Sequence, residues 1–92
     1  MGSERLLRLR ERLEQAFQPV RLEIVDDSRA HAGHRHGGGG HFSVRLCSER
    51  FEGRTALERH RLVYAAVADM MPGEIHALSI TASTPAESGG TE

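Results

Sequence analysis

Residues 41–73 read His41-Phe42-Ser43-Val44-Arg45-Leu46-Cys47-Ser48-Glu49-Arg50-Phe51-Glu52-Gly53-Arg54-Thr55-Ala56-Leu57-Glu58-Arg59-His60-Arg61-Leu62-Val63-Tyr64-Ala65-Ala66-Val67-Ala68-Asp69-Met70-Met71-Pro72-Gly73, and the period of their apolar residues changes once along the way. Phe42, Val44 and Leu46 alternate with Ser43, Arg45 and Cys47, the two-residue period of a strand with one wet face. Phe51-Glu52-Gly53 breaks that pattern as a turn. Thr55 and Glu58 then have the spacing of a capping box, in which hydroxyl and carboxylate satisfy the first free N–H groups of a helix. Leu57, His60, Tyr64, Val67 and Met71 share one face of the helix that follows, which Pro72-Gly73 ends. A strand, a turn and a helix in series set an α+β frame for the whole chain.

Outward from this segment the same frame continues. Upstream, Ser3 stands where an N-cap belongs. Leu6, Leu9, Leu13 and Phe17 mark the apolar stripe of a helix that Pro19 terminates. Val20, Leu22 and Ile24 alternate with Arg21 and Glu23 as a first strand, which the second strand should meet antiparallel. Downstream, Ile75–Ala82 reads as a third strand. The expected order is helix, two strands, helix (or a helix broken in two) and strand, with the helices on one face of a three-stranded sheet. The reading gives one domain over residues 1–84, a flexible His- and Gly-rich loop over 28–40, and a disordered tail over 85–92.

Ninety-two residues leave room for one small core. With 38% apolar and 27% charged residues and a mean hydropathy of −0.44, the composition is globular rather than disordered. No apolar run approaches a membrane span, and Met1–Arg5 has no signal-peptide core, so a cytoplasmic location is expected. A lone cysteine, Cys47, excludes an internal disulfide and any metal cage built of the chain's own thiolates. All 12 basic residues are arginines at or before Arg61. Residues 1–61 therefore carry 12 arginines against 9 acids, a net +3, whereas residues 62–92 carry 4 acids and no base, a net −4. That mild dipole suits weak electrostatic docking, not a dedicated nucleic-acid binder.

Among candidate chemistries, six histidines stand out, four of them (His31, His34, His36 and His41) in or beside the long loop. Imidazole is the commonest side-chain metal ligand, but the spacing matches neither a zinc finger nor a metalloprotease helix. The Gly37–Gly40 run lacks the Lys-Ser/Thr of a phosphate loop and leads into a strand, so no helix N-terminus faces an anion. Cys47 sits mid-strand with no base placed beside it. No motif marks an enzyme.

Phe51-x-Gly53, Arg59-His60-Arg61-x-Val63-Tyr64 and His76-Ala77-Leu78, together with Val25-Asp26-Asp27-Ser28 and His41-Phe42-Ser43-Val44, resemble the BolA family over roughly residues 4–87. The resemblance implies an α-β-β-α-α-β domain akin to a class II KH fold. It implies a non-enzymatic regulatory adaptor that pairs with a monothiol glutaredoxin and shares a [2Fe-2S] cluster with it in iron–sulfur trafficking or iron sensing. By that resemblance the glutaredoxin supplies its cysteine and a glutathione thiolate. This chain supplies His76 and a histidine of the loop between the first two strands: His31, with His34 and His36 as alternatives. Two imidazoles on one iron would form a Rieske-like centre of raised reduction potential. Alone, the chain is expected to be a cofactor-free monomer.

Some members of the family are described as DNA-binding transcriptional regulators in stress or morphology control, the second functional reading. Arg50, Arg54, Arg59 and Arg61 would supply that surface, or a surface for the protein partner. Glu49, Glu52 and Glu58 dilute those arginines to +1. There is no Gly-x-x-Gly between helices, and one tyrosine with no tryptophan offers little stacking. Phe51, Gly53, His60 and Tyr64 read as the structural part of the motif, with His60 either buried and hydrogen-bonded or part of the arginine surface.

Overall fold

The computed structural model describes residues 3–27, 40–71 and 73–87. Helix α1 (Ser3–Phe17) is followed by strands β1 (Arg21–Asp26) and β2 (Gly40–Cys47). Helix α2 (Ala56–Ala66) and strand β3 (Ile75–Ser83) complete the order. The expected cap on the Ser3 side chain, the loop residues 28–39 and the tail residues 88–92 lie outside the described residues.

The expected stripe of α1 faces inward: Leu9, Leu13 and Phe17 are buried and Leu6 packs beside them. At its end Gln18 takes a left-handed conformation (φ 45°) and donates its backbone N–H to the Glu14 carbonyl at 2.9 Å, closing the last turn before Pro19. Val20 does not join the first strand. It lies one residue ahead of β1 and is 66% exposed, because only Leu22 and Ile24 point at the core.

The sheet order is β1-β2-β3. β1 runs antiparallel to β2 from Arg21↔Cys47 to Asp26↔Phe42. β3 runs parallel to β2 from Gly40↔Ile75 to Cys47↔Ser83. A parallel neighbour needs a crossover, which the turn and α2 provide. Phe42, Val44, Leu46, Ile75 and Leu78 meet α1 and α2 in one core with Phe51, Val63, Val67 and Met70. The opposite face of the sheet carries Arg21, Glu23, Arg45, Cys47, Thr81 and Ser83 around a shallow cleft of about 290 Å³. Cys47, expected on the wet face, is only 5% exposed there.

Gly53 (φ 76°) makes the turn into α2, a conformation that costs glycine little. The capping box is present in full, with the Thr55 N–H donating to Glu58 at 3.0 Å and the Glu58 N–H to the Thr55 hydroxyl at 3.1 Å. The expected inward face holds at its C-terminal end, where Val67 is buried and Met71 packs against the core, but not over the first turns of α2. Val63 and Val67 are fully buried and Leu62 and Ala66 pack beside them, while Leu57 is 59% and Tyr64 38% exposed and His60 is half-buried. Apolar residues run almost continuously from Leu62 to Val67, so their period is compatible with two faces. The compact valines take the side that approaches the sheet. Tyr64 stays at the margin, where its hydroxyl donates to the Leu78 carbonyl at 3.0 Å. The second helix of the expected pair shrinks to a single 3-10 turn, Ala68–Met70.

Long-range polar ties fasten the ends. Arg12 grips both carboxylate oxygens of Asp69, and Arg8 reaches Glu74 at 2.7 Å. The Ser48 hydroxyl donates to the Phe17 carbonyl at 2.7 Å. The tail expected from residue 85 stays anchored at least to Glu87. Thr84 and Glu87 exchange side-chain-to-backbone hydrogen bonds at 3.1 and 3.2 Å, and the Glu87 carboxylate holds Arg59 at 2.6 and 3.0 Å.

Candidate functional site: a histidine pair at the end of the sheet

The parallel β2–β3 ladder contains one irregularity. Gly40 pairs with Ile75 but His41 pairs with Ala77, leaving His76 as the extra residue of a β-bulge. Side chains of a strand alternate between faces, so one inserted residue re-aims everything beyond it. Here the bulge lets Ile75 enter the core fully buried while its neighbour His76 is exposed. An uninterrupted strand in phase with Leu78 would have turned His76 inward and Ile75 out.

The re-aimed His76 meets His41. Their ring centroids are 5.2 Å apart with planes inclined by 36°. His41 is half-buried, and its strand is anchored beside it: the His41 carbonyl accepts the Asp27 N–H at 2.7 Å, and the Asp27 carboxylate accepts the Ser43 hydroxyl at 2.5 Å. The pair sits at the end of the sheet where the β1–β2 connection joins β2. His31, His34 and His36 fall in that connection, outside the described residues. Sequence reading selected His76 and noted His41 only as the close of the loop. The signal it lacked was the parallel register, which sets the His-Phe start of one strand against the His-Ala-Leu start of the other.

Two neutral imidazoles are suited to a first-row metal or to one iron of an iron–sulfur centre. Among the described residues no group of three or more His, Cys, Asp or Glu side chains is placed to hold a metal ion. Two imidazoles make up at most part of a metal's coordination sphere. Cys47 cannot complete it. Cys47 is six positions beyond His41 along β2, which at about 3.3 Å per step puts them roughly 20 Å apart.

The expected arginine surface is smaller than the sequence suggested. Arg59 is turned in: its side chain is 11% exposed, donates to the Arg54 and Ala82 carbonyls at 3.0 and 3.2 Å and is held by Glu87. Its guanidinium carbon also lies 6.0 Å from the Phe51 ring centroid. The hydrogen bond from Arg59, with help from the Thr84 backbone N–H, pulls the Glu87 carboxyl down to about 2. Together Arg59 and Tyr64 occupy two carbonyls of the β3 edge that no strand covers, a common way of blunting a sheet edge. Arg50 donates to the Gln18 side chain at 3.0 Å. Arg54 and Arg61 are exposed. His60 takes neither expected role outright: its Nδ1 lies 2.9 Å from the Ala56 carbonyl, a bond within α2.

Comparison with known proteins places the chain among relatives. A family profile described as BolA-like protein matches residues 13–87. The chain is 45% identical over 94 residues to the Arabidopsis thaliana protein named SufE-like protein 1, chloroplastic/mitochondrial, covering 95% of this chain and 25% of that protein. It is 41% identical over 85 residues to the Escherichia coli protein named DNA-binding transcriptional regulator BolA, covering 92% and 80% respectively. The solved BolA domain of SufE1 from Arabidopsis thaliana superposes with a TM-score of 0.79 at 46% identity, covering 88% of this chain and 92% of that one. The chain spans a quarter of the plant SufE-like protein and 58% of BolA-like protein 1 from Pongo abelii. No helix among the described residues is long and apolar enough to cross a membrane.

Proposed function

Since the chain belongs to the BolA-like family, we propose that it is a non-enzymatic regulatory adaptor that docks on a monothiol glutaredoxin and contributes imidazole ligands to a shared [2Fe-2S] cluster. The observation that carries this reading is the histidine pair: two imidazoles set together at the sheet end, with no thiolate within reach. A chain with such a half-site needs a partner for the rest, and a glutaredoxin cysteine with a glutathione thiolate would complete it. His76 is one ligand, and the other comes from the β1–β2 connection (His31, His34 or His36) or from His41, where β2 begins. When bound, the cluster supplies one-electron chemistry at a potential raised by neutral nitrogen ligands. What this chain contributes is position. The bulge turns His76 outward, the β2–β3 ladder holds it, and the core beneath Ile75 fixes the strand that carries it.

The test is anaerobic co-purification with a monothiol glutaredoxin and glutathione. The expected product is a heterodimer whose visible circular dichroism differs from that of the glutaredoxin homodimer, because nitrogen replaces sulfur on one iron. His76→Ala should abolish that signature, and Cys47→Ser should leave it intact. A heterodimer with the homodimer's spectrum would overturn the reading.

A second reading, DNA binding, is favoured by the name of the Escherichia coli relative. With Arg59 occupied by Glu87, the remaining surface of Arg50, Arg54 and Arg61 supports only weak, non-specific contact with phosphates. Site-specific binding that persists at physiological salt would put this reading first.

A further inference from the structure

The two edges of the sheet are finished differently. Arg59 and Tyr64 occupy carbonyls along β3, whereas β1 has β2 on one side and, among the described residues, no strand on the other. Asp27 donates its N–H to the His41 carbonyl at 2.7 Å. That bond puts the odd-numbered residues of β1 in the hydrogen-bonded pairs with β2 and aims the backbone groups of Leu22 and Ile24 outward. The side chains of Leu22 and Ile24 are only half-buried at this margin, and Val25 is 50% exposed. We propose that this edge pairs with β1 of a second copy of the chain, antiparallel about a two-fold axis, so that one sheet runs through both copies.

Charge selects the register. A two-fold axis through the sheet keeps core side with core side, so the pairing must centre on a residue and its own copy. Centred on Ile24, it runs over residues 21–27 and sets Arg21 of each copy opposite Asp27 of the other, while Ile24 meets Ile24 on the core side and Leu22 meets Asp26. Centring on Glu23 or Asp26 would set that acid against itself, and centring on Val25 would set Glu23 against Asp27, like charges in every case. Centring on Leu22 sets Arg21 against Glu23 but covers only residues 20–24. Both members of the favoured pair stand ready on the open face of the sheet. Arg21 is exposed and, unlike Arg45 beside it, makes no ion pair among the described residues. Asp27 is held in line with the strand by its N–H bond and by the Ser43 hydroxyl at 2.5 Å, and a carboxylate accepting one hydrogen bond can accept others. Such an interface is small, so the dimer is weak and half-formed at roughly 0.1–1 mM. It replaces the monomer expected of the isolated chain with an equilibrium, and it rests on neither the cluster nor the DNA reading.

The experiment is sedimentation equilibrium of the full chain over a concentration series, with reductant and chelator present so that neither Cys47 disulfides nor metal bridges between histidines contribute. Arg21→Asp and Asp27→Arg should each weaken self-association about tenfold, because two opposite-charge pairs become two like-charge pairs. An equimolar mixture of the two variants should recover it to within threefold, since every cross-strand pair between unlike copies is again of opposite sign. Amide hydrogen exchange of the wild type supplies a readout that needs no substitution. The Leu22 and Ile24 N–H groups should gain protection as concentration rises, while those of Glu23 and Val25, already bonded to β2, should not change. A chain that stays monomeric throughout the series overturns the proposal. So does a dimer that tolerates both reversals, or one whose formation leaves the Leu22 and Ile24 amides unprotected, since each of these puts the contact elsewhere on the surface.

Discussion

The phase of α2 can be tested by a pair of substitutions whose ranking the two faces predict in opposite order. Val63 is fully buried and Leu57 is 59% exposed. Val63→Ala removes the equivalent of two methylenes from the core, about 1.6 kcal/mol in transfer free energy at roughly 0.8 kcal/mol each, and leaves a small cavity that brings the cost to about 2–3 kcal/mol. Leu57→Ala removes more atoms, but well under half of their surface is shielded from water. No enclosed cavity results, and alanine is a slightly better helix former, so the cost should stay near 0.5–1 kcal/mol. Urea unfolding followed by far-ultraviolet circular dichroism reads both. With m of about 1–2 kcal/mol/M for a domain of this size, the Val63 midpoint should fall by more than 1 M and the Leu57 midpoint by about 0.5 M. Equal m values are needed for the comparison. If Leu57→Ala costs as much as Val63→Ala, the helix packs on the face read from the sequence, and the exposed placement of Leu57 and Tyr64 is wrong.

Other outcomes follow from single contacts. The Glu87 carboxyl lies near 2 in the folded chain against about 4.5 unfolded. A depressed carboxyl stabilises above its unfolded value, so the stability gap between wild type and Glu87→Gln should be full above pH 4.5 and close as pH falls towards 2, as read by denaturant titrations at stepped pH; a gap that widens on acidification contradicts the Arg59 contact. Gln18→Gly should raise stability by about 0.5–1 kcal/mol despite losing the Arg50 contact, because the left-handed conformation strains any residue with a Cβ; a thermal melt checks it, and a loss of stability would show that the Arg50 bond dominates. Binding of the chain to duplex DNA should show a log–log salt slope no steeper than about −3, one phosphate for each of Arg50, Arg54 and Arg61. A slope near −8 would place the phosphates on a larger surface than Arg50, Arg54 and Arg61.

Much of the fold was legible because local signals agree with the tertiary outcome. The α1 stripe, the alternation of Phe42, Val44 and Leu46, and the Thr55–Glu58 cap are each settled by neighbours within a turn or a strand. The α2 face was not, since a nearly continuous apolar run from Leu62 to Val67 carries no unique period and only contact with the sheet chooses. Arg59 reads as a surface cation because the carboxylate that holds it stands 28 residues away in a segment whose Pro, Glu, Ser and Gly suggest a tail. The partnership of His41 with His76 depends on a parallel register and a bulge, neither of which has a local signature. His76 itself was reached by family resemblance rather than by period or composition.

The parallel joint between β2 and β3 also sets when the histidine pair comes into being. His41 and His76 are 35 positions apart in the chain, and the turn, its Phe51 plug and all of α2 lie between them. Such distant contacts form late, after the entropy of closing the intervening stretch has been overcome. A nascent or half-collapsed chain carries two unrelated imidazoles. Only a molecule that has crossed over, docked its helix and laid β3 into register holds them 5.2 Å apart. Occupancy of the pair is thus a certificate of completed folding, and a ligand that prefers the pair to either ring alone draws the population towards finished molecules.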